Sequence, residues 1–152
     1  MLFRSAALAI DCDLRLAVQG ARFGITPAKL GIVYPAASVE RVVRLLGPAA
    51  KRLLFTGDLI DGTEAHRIGL VDELLAPDAV EARLAELCAV LASRSMLSQV
   101  AAKQMIAAVL EHGAVPATLA DGWVHEANRS GETTEGVAAF RERRSPRFDW
   151  TG

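Results

Sequence analysis

Two side chains in loops carry the clearest chemistry in this 152-residue chain, Thr26 and Tyr34. Both lie in the stretch Thr26-Pro27-Ala28-Lys29-Leu30-Gly31-Ile32-Val33-Tyr34. A tyrosine hydroxyl can donate to a carboxylate or carbonyl, or orient a leaving group. Loops placed by a rigid scaffold are where such groups tend to act. The alternative is that Tyr34 is an ordinary half-buried loop aromatic and Thr26 fixes the turn before Pro27. A third candidate lies in the run Arg141-Glu142-Arg143-Arg144-Ser145-Pro146-Arg147, where guanidinium groups suit phosphate recognition or simply complement a helix C-terminus. No GxSxG elbow, P-loop, GxGxxG or zinc-type spacing occurs. His66, His112 and His125 are scattered and read as surface residues. Cys12 and Cys88 are far apart, form no CxxC, and read as reduced core thiols.

Composition narrows the field. Apolar residues make up 51% of the chain, enough for a real core. Seventeen basic and eighteen acidic residues leave a net charge of −1, too little positive charge for a broad nucleic-acid face. No apolar run approaches the length of a membrane span, and no secretory leader is legible. The expectation is a cytoplasmic protein with neither nucleic acid nor membrane as partner.

The elements that must position these residues can be read in order. Residues 5–12 predict a short helix. Residues 13–18 and 21–25 predict strands around the Gln19-Gly20 turn. Ser38 is the expected N-cap of a helix through Leu46, ended by Gly47. Pro48 opens the next helix, and Asp61 caps a short one through Ile68. Residues 70–75 predict a strand. Four helices follow, at 77–93, 96–112, 116–128 and 134–143. The stripes Val80, Leu84, Leu87, Cys88, Leu91 and Val100, Met105, Ile106, Val109, Leu110 are their expected buried faces. The fold class is α/β, with a helical second half.

Several segments together resemble the enoyl-CoA hydratase/isomerase (crotonase) superfamily. They include Cys12-Asp13-Leu14-Arg15, Ala21-Arg22-Phe23-Gly24, Lys29-Leu30-Gly31-Ile32 and Leu54-Phe55-Thr56-Gly57. Ile60-Asp61-Gly62-Thr63-Glu64-Ala65, Ile68-Gly69-Leu70-Val71 and Glu135-Gly136-Val137-Ala138-Ala139-Phe140 continue the series. The resemblance implies the C-terminal part of a spiral of ββα turns. Residues 1–75 would be a partial spiral core lacking the fold's N-terminal half, and 76–152 a helical region that builds homo-trimers or hexamers. It implies an acyl-CoA thioester as substrate and an oxyanion hole that stabilises its enolate. No cofactor is implied beyond the coenzyme A carried by the substrate.

The match also marks departures. The glycines that open the helix before the Cys-Asp pair correspond to Phe3, Arg4 and Ser5. The two hydratase glutamates correspond to Ala7 and Pro27, neither of which can titrate. The string ending at Tyr34 is most similar to the methylmalonyl-CoA decarboxylase branch, where a carboxylate leaves as carbon dioxide and no general base is needed. The resemblance therefore implies Tyr34 and Thr26 as acyl-pocket residues and Arg143 as a contact to the coenzyme A phosphates. The leading expectation is enolate-stabilising chemistry, with decarboxylation as its form. The alternatives are an enoyl-CoA hydratase or isomerase, and a truncated, non-catalytic oligomerisation module. The isolated chain is expected to be inactive.

Overall fold

The computed structural model describes residues 9–152. The expectations for Phe3, Arg4, Ser5 and Ala7 lie outside the described residues. The chain forms two compact units, residues 1–84 and 85–152.

All four described strands belong to the first unit, and all are short. Strand β1 (Leu16–Val18) is followed by β2 (Arg22–Phe23) across the Gln19-Gly20 turn. A 3₁₀ turn at Pro27–Leu30 precedes helix α1 (Ala36–Leu46). Another at Gly47–Ala49 leads into α2 (Ala50–Thr56). Strand β3 (Ile60–Asp61), helix α3 (Gly62–Arg67) and strand β4 (Glu73–Leu75) complete the unit. β1 pairs in parallel with β4, in the register Leu16 to Glu73 through Val18 to Leu75. β2 pairs antiparallel with β3. The predicted strands at 13–18, 21–25 and 70–75 are thus cut to two or three residues each. Arg15 explains one limit. Its backbone N–H donates to Asp72 Oδ2 at 2.6 Å, a side-chain contact where a ladder bond would otherwise run. Its guanidinium reaches Cys12 O at 2.6 Å and Leu70 O at 2.9 Å.

The caps obey local chemistry, with one correction. Asp61 accepts from the Glu64 N–H at 2.8 Å and starts α3 as expected. Ser38 does not cap α1. The helix begins two residues earlier, and Pro35 O already accepts from the Ser38 and Val39 N–H groups. Pro35 takes the N-cap position in an extended conformation, φ −57° and ψ 138°, with no side-chain bond. The predicted helix at 5–12 is helical at residues 9 and 10 and turns at 11.

The core of the first unit joins Ala17, Ile25, Val42, Leu46, Leu53 and Ile60 with Ala50, Ala65, Leu70 and Val71. Val42 and Leu53 are its largest fully buried side chains. At Gly62 an added side chain would have to push aside the end of the Leu74 side chain. A Cβ there would lie 2.6 Å from Leu74 Cδ1.

Helix α4 (Val80–Ala92), entered through a 3₁₀ turn at Pro77–Ala79, contains the boundary between the units. Helices α5 (Met96–His112), α6 (Ala117–Ser130) and α7 (Glu132–Glu142) follow. α5 packs on α6, and α6 on α7. The predicted stripes are not the buried faces. No residue of α4 is buried, and Leu84, Leu91, Ile106, Val109 and Leu110 are exposed. On α5 the buried residues are Leu97, Ala101 and Ala108. Its polar residues, Ser98, Gln99, Lys103, Gln104, Glu111 and His112, are spread around the helix among the apolar ones, so periodicity alone cannot choose a face. The side with alanines allows the closest approach. Cys12 and Cys88 are both exposed thiols, not core residues. Cys12 follows a helix end, and Cys88 sits on α4, which buries nothing.

Candidate functional site

The segment Thr26–Pro35 is a short 3₁₀ turn and a loop held against the first unit from two sides. Pro27 presets the first turn, where its missing N–H is no loss. Lys29 N–H donates to Thr26 O at 3.0 Å, and Ile32 N–H to Pro27 O at 3.1 Å. Gly31 ends the turn at φ +65°, a conformation that favours glycine. On one side, Tyr34 is half-buried and packs against the core cluster.

On the other side, Gly57 fits beneath the segment. A Cβ on Gly57 would meet Lys29 Cγ at 3.1 Å and Thr26 Cα at 3.4 Å, and its φ is +64°. The positive φ favours glycine, and any Cβ would also push the Lys29 side chain aside by a few tenths of an ångström. Lys29 then reaches across to Asp58, Nζ to Oδ1, at 2.7 Å. The Lys29 hydrogen bond and charge hold the Asp58 carboxyl below its usual range. The pair is exposed, so its role is registry rather than stability.

Thr26 itself is unusual. Its Oγ1 is buried and, among the described residues, has no hydrogen-bond partner. Buried hydroxyls are nearly always paired, because leaving one unpaired is costly. The structure therefore brings Thr26 and Tyr34 into one braced segment, in which the buried Thr26 Oγ1 is unpaired among the described residues. Neither Pro27 nor Ala28 beside it can carry a proton.

Arg143 lies in the second unit. It follows α7 in the left-handed conformation, φ 55°, and it is the one non-glycine with positive φ among the described residues. The Arg143 N–H donates to Phe140 O at 3.3 Å and the Arg144 N–H to Ala139 O at 3.0 Å, closing the helix end. The Arg143 side chain is exposed. Its neighbour Arg144 is engaged instead, with Glu135 at 2.5 Å and Glu142 at 2.6 Å.

Sequence reasoning missed the second unit's main polar construction. Glu126, Glu132 and Glu135 together hold the tail. Glu132 is buried and accepts from Ser95 Oγ and, at 3.1 Å, from the Trp150 N–H. Glu126 accepts from Trp150 Nε1 at 2.7 Å. Glu135 accepts from the Arg147 N–H at 2.8 Å as well as from Arg144. Trp150 meets Trp123 edge-on, centroids 6.0 Å apart. A broad groove of about 1130 Å³ runs along this tail, but the charges lining it are largely paired with one another. The four arginines in the tail read as phosphate-binding or helix-end residues, whereas Arg144 is taken by Glu135 and Glu142. Nothing in the sequence marked Glu132.

Among the described residues there is no cluster of three His, Cys, Asp or Glu side chains that could hold a metal ion. No described helix is long and apolar enough to cross a membrane.

The sequence matches the enoyl-CoA hydratase/isomerase profile over residues 5–151. The chain belongs to the enoyl-CoA hydratase/isomerase family. It is 34% identical over 148 residues to (E)-benzylidenesuccinyl-CoA hydratase of Thauera aromatica, covering 93% of this chain and 56% of that protein. It is 32% identical over 146 residues to crotonyl-CoA hydratase of Syntrophomonas wolfei, covering 93% and 55%. Its fold superposes on the crystal structure of enoyl-CoA hydratase from Bacillus anthracis with a TM-score of 0.87 at 27% identity, covering 96% of this chain and 57% of that one. The chain spans little more than half the length of the curated relatives it matches. The chain therefore folds as part of the family's α/β fold.

Proposed function

We propose that the protein processes an acyl-CoA thioester through its enolate, in the hydratase/isomerase manner of its relatives. The observation that carries this reading is the family match over residues 5–151, supported by relatives that are hydratases of acyl-CoA substrates. In this reading the thioester oxygen gains negative charge, and preorganised backbone donors stabilise it. Thr26 and Tyr34 are the acyl-pocket residues in this reading. Arg143, exposed at the end of α7, makes a charge-assisted contact to a coenzyme A phosphate.

One observation favours a second reading, decarboxylation of a malonyl-type thioester. Hydration needs groups that move protons to and from water and carbon. Residue 27 is a proline inside the 3₁₀ turn, so this part of the segment offers no acid or base. Loss of carbon dioxide needs none.

The second unit's exposed apolar residues, among them Ile106, Val124 and Phe140, support assembly into a homo-trimer or hexamer. Sedimentation of a stable monomer at micromolar concentration would contradict that part.

The activity test incubates an enoyl-CoA and a malonyl-type CoA thioester with the chain alone and with a fusion to the N-terminal portion of one of these relatives. Mass spectrometry follows the products. Gain of water on the enoyl substrate is the expected result. Loss of carbon dioxide from the malonyl substrate would favour the second reading. Neither product in the fusion would overturn both.

A further inference from the structure

We infer that the groove between Ser93-Arg94 and the tail residues Ser145–Asp149 binds a phosphate group. The groove measures about 400 Å³, large enough for a phosphate and part of the molecule that carries it. Arg94 and Arg147 both line it, together with the hydroxyl-bearing Ser93 and Ser145.

These two arginines differ from the other arginines that line grooves in this unit. Arg129 is bound by Glu126 at 2.6 Å, and Arg144 by Glu135 and Glu142. Among the described residues, the guanidiniums of Arg94 and Arg147 form no hydrogen bond or ion pair at contact distance. Two cations on one groove repel each other, Asp149 offsets part of that repulsion, and a bound anion offsets more of it. The planar, always-charged guanidinium fork matches phosphate oxygens in pairs.

Both backbones are fixed in place. The Arg94 N–H donates to Leu91 O at 3.1 Å, and Ser95 beside it caps α5. The Arg147 N–H is held by Glu135, and the Phe148 ring lies 3.8 Å from where a Gly136 Cβ would stand. The groove therefore needs little ordering when a ligand binds, which favours affinity. Asp149 also lines it and opposes a second negative charge. That sets the class as a single phosphate group, free or as a monoester, rather than a polyanion.

The test is NMR titration of the 152-residue chain with inorganic phosphate, following backbone and arginine side-chain resonances against sodium chloride of equal ionic strength. Saturable shifts at Arg94, Arg147 and their neighbours are expected. They should weaken at least about tenfold in the Arg94→Gln/Arg147→Gln double variant and persist in Arg141→Gln, a nearby exposed arginine that does not line the groove. Near-UV circular dichroism of Trp123 and Trp150 verifies that each variant is folded, and the single substitutions serve if the double variant is not. Shifts equal to those in sodium chloride, or retained in the folded double variant, would overturn the site. So would their loss in Arg141→Gln, which would mark a diffuse basic tail. Competition by coenzyme A, absent with dephospho-coenzyme A, assigns the phosphate to that carrier. Phosphate shifts without such competition assign it to free phosphate or another monoester.

Discussion

The two units hold themselves together by different means. The first buries branched apolar side chains, with Val42 and Leu53 fully enclosed and small residues filling between them. The second buries Leu97, three alanines and the carboxylate of Glu132, and leaves many of its large apolar side chains in the open. Its order comes from three glutamates that grip the tail through charged hydrogen bonds. Apolar burial is undirected and scales with area, whereas a carboxylate clasp is directional and depends on protonation. The first unit should therefore respond to cavities, and the second to charge.

The largest effect should come from Leu53→Ala. Truncating a fully buried leucine typically costs about 2–5 kcal/mol. Denaturant unfolding should show that loss. A change below about 1 kcal/mol would mean that this core yields easily and the contrast is wrong. Glu132→Gln comes next. It keeps the shape but removes the charge that receives Ser95 Oγ and the Trp150 N–H. Hydrogen bonds to charged groups contribute about 1.5–3 kcal/mol, and the amide keeps part of this. The near-UV signal of Trp123 and Trp150 should fall first, since the tail is what Glu132 holds. Loss of far-UV signal in step with it would show that the tail and the helices form one cooperative element.

Acid should separate the units without any substitution. Glu126 is held down to about 2, first by the Arg129 hydrogen bond and then by Trp150. Glu135 is held down to about 2, first by Arg144 and then by the Arg147 N–H. Their folded values lie below the unfolded value of 4.5, so their contribution is present above 4.5 and is lost as pH falls toward 2. Both carboxylates are half-buried at the surface and pair with exposed arginines, so the effect is modest and screened by salt. A pH titration read by the tryptophan near-UV signal should show loss of tail docking between about pH 4.5 and 2, shifted upward by salt. A flat profile across that window would remove the charge-based account of the second unit.

The sequence was most legible where one residue decides a local geometry. Asp61 as a cap, Gly47 as a helix end, and the Gln19-Gly20 turn all follow from side-chain chemistry or positive φ. Ser38 misled because Pro35, a residue without a capping side chain, had already started α1. The α5 face was illegible because apolar residues lie on every side of the helix among polar ones, and alanine rather than leucine marks the contact. Cys12 and Cys88 looked buried for the same reason, since apolar neighbours in sequence need not be neighbours in space. At the candidate site, the loop and its two hydroxyls were readable from residue type. The bracing of that loop by Gly57 and Asp58, about thirty residues later, was not. Glu132 left no trace because its partners, Ser95 and Trp150, are distant in sequence and carry no pattern.

The smallest expected effect tests whether Arg143 is kept for function or for the fold. Its left-handed φ of 55° costs about 1 kcal/mol relative to glycine. A cation there also interacts favourably with the carbonyl end of α7, by about 0.3–1 kcal/mol when exposed. Arg143→Gly relieves the first and forfeits the second, so the second unit should gain no more than a few tenths of a kcal/mol. Arg143→Lys keeps both and should leave the melting temperature unchanged. Thermal melts read by the tryptophan near-UV signal decide between these outcomes. If Arg143→Gly is clearly destabilising, Arg143 is part of what holds the second unit, and its exposed position needs no ligand to explain it. If it is neutral or slightly stabilising while coenzyme A affinity falls about tenfold, the strained arginine is retained against the interest of the fold. The clasp would then be the work of Glu126, Glu132 and Glu135, with Arg143 left to meet phosphate.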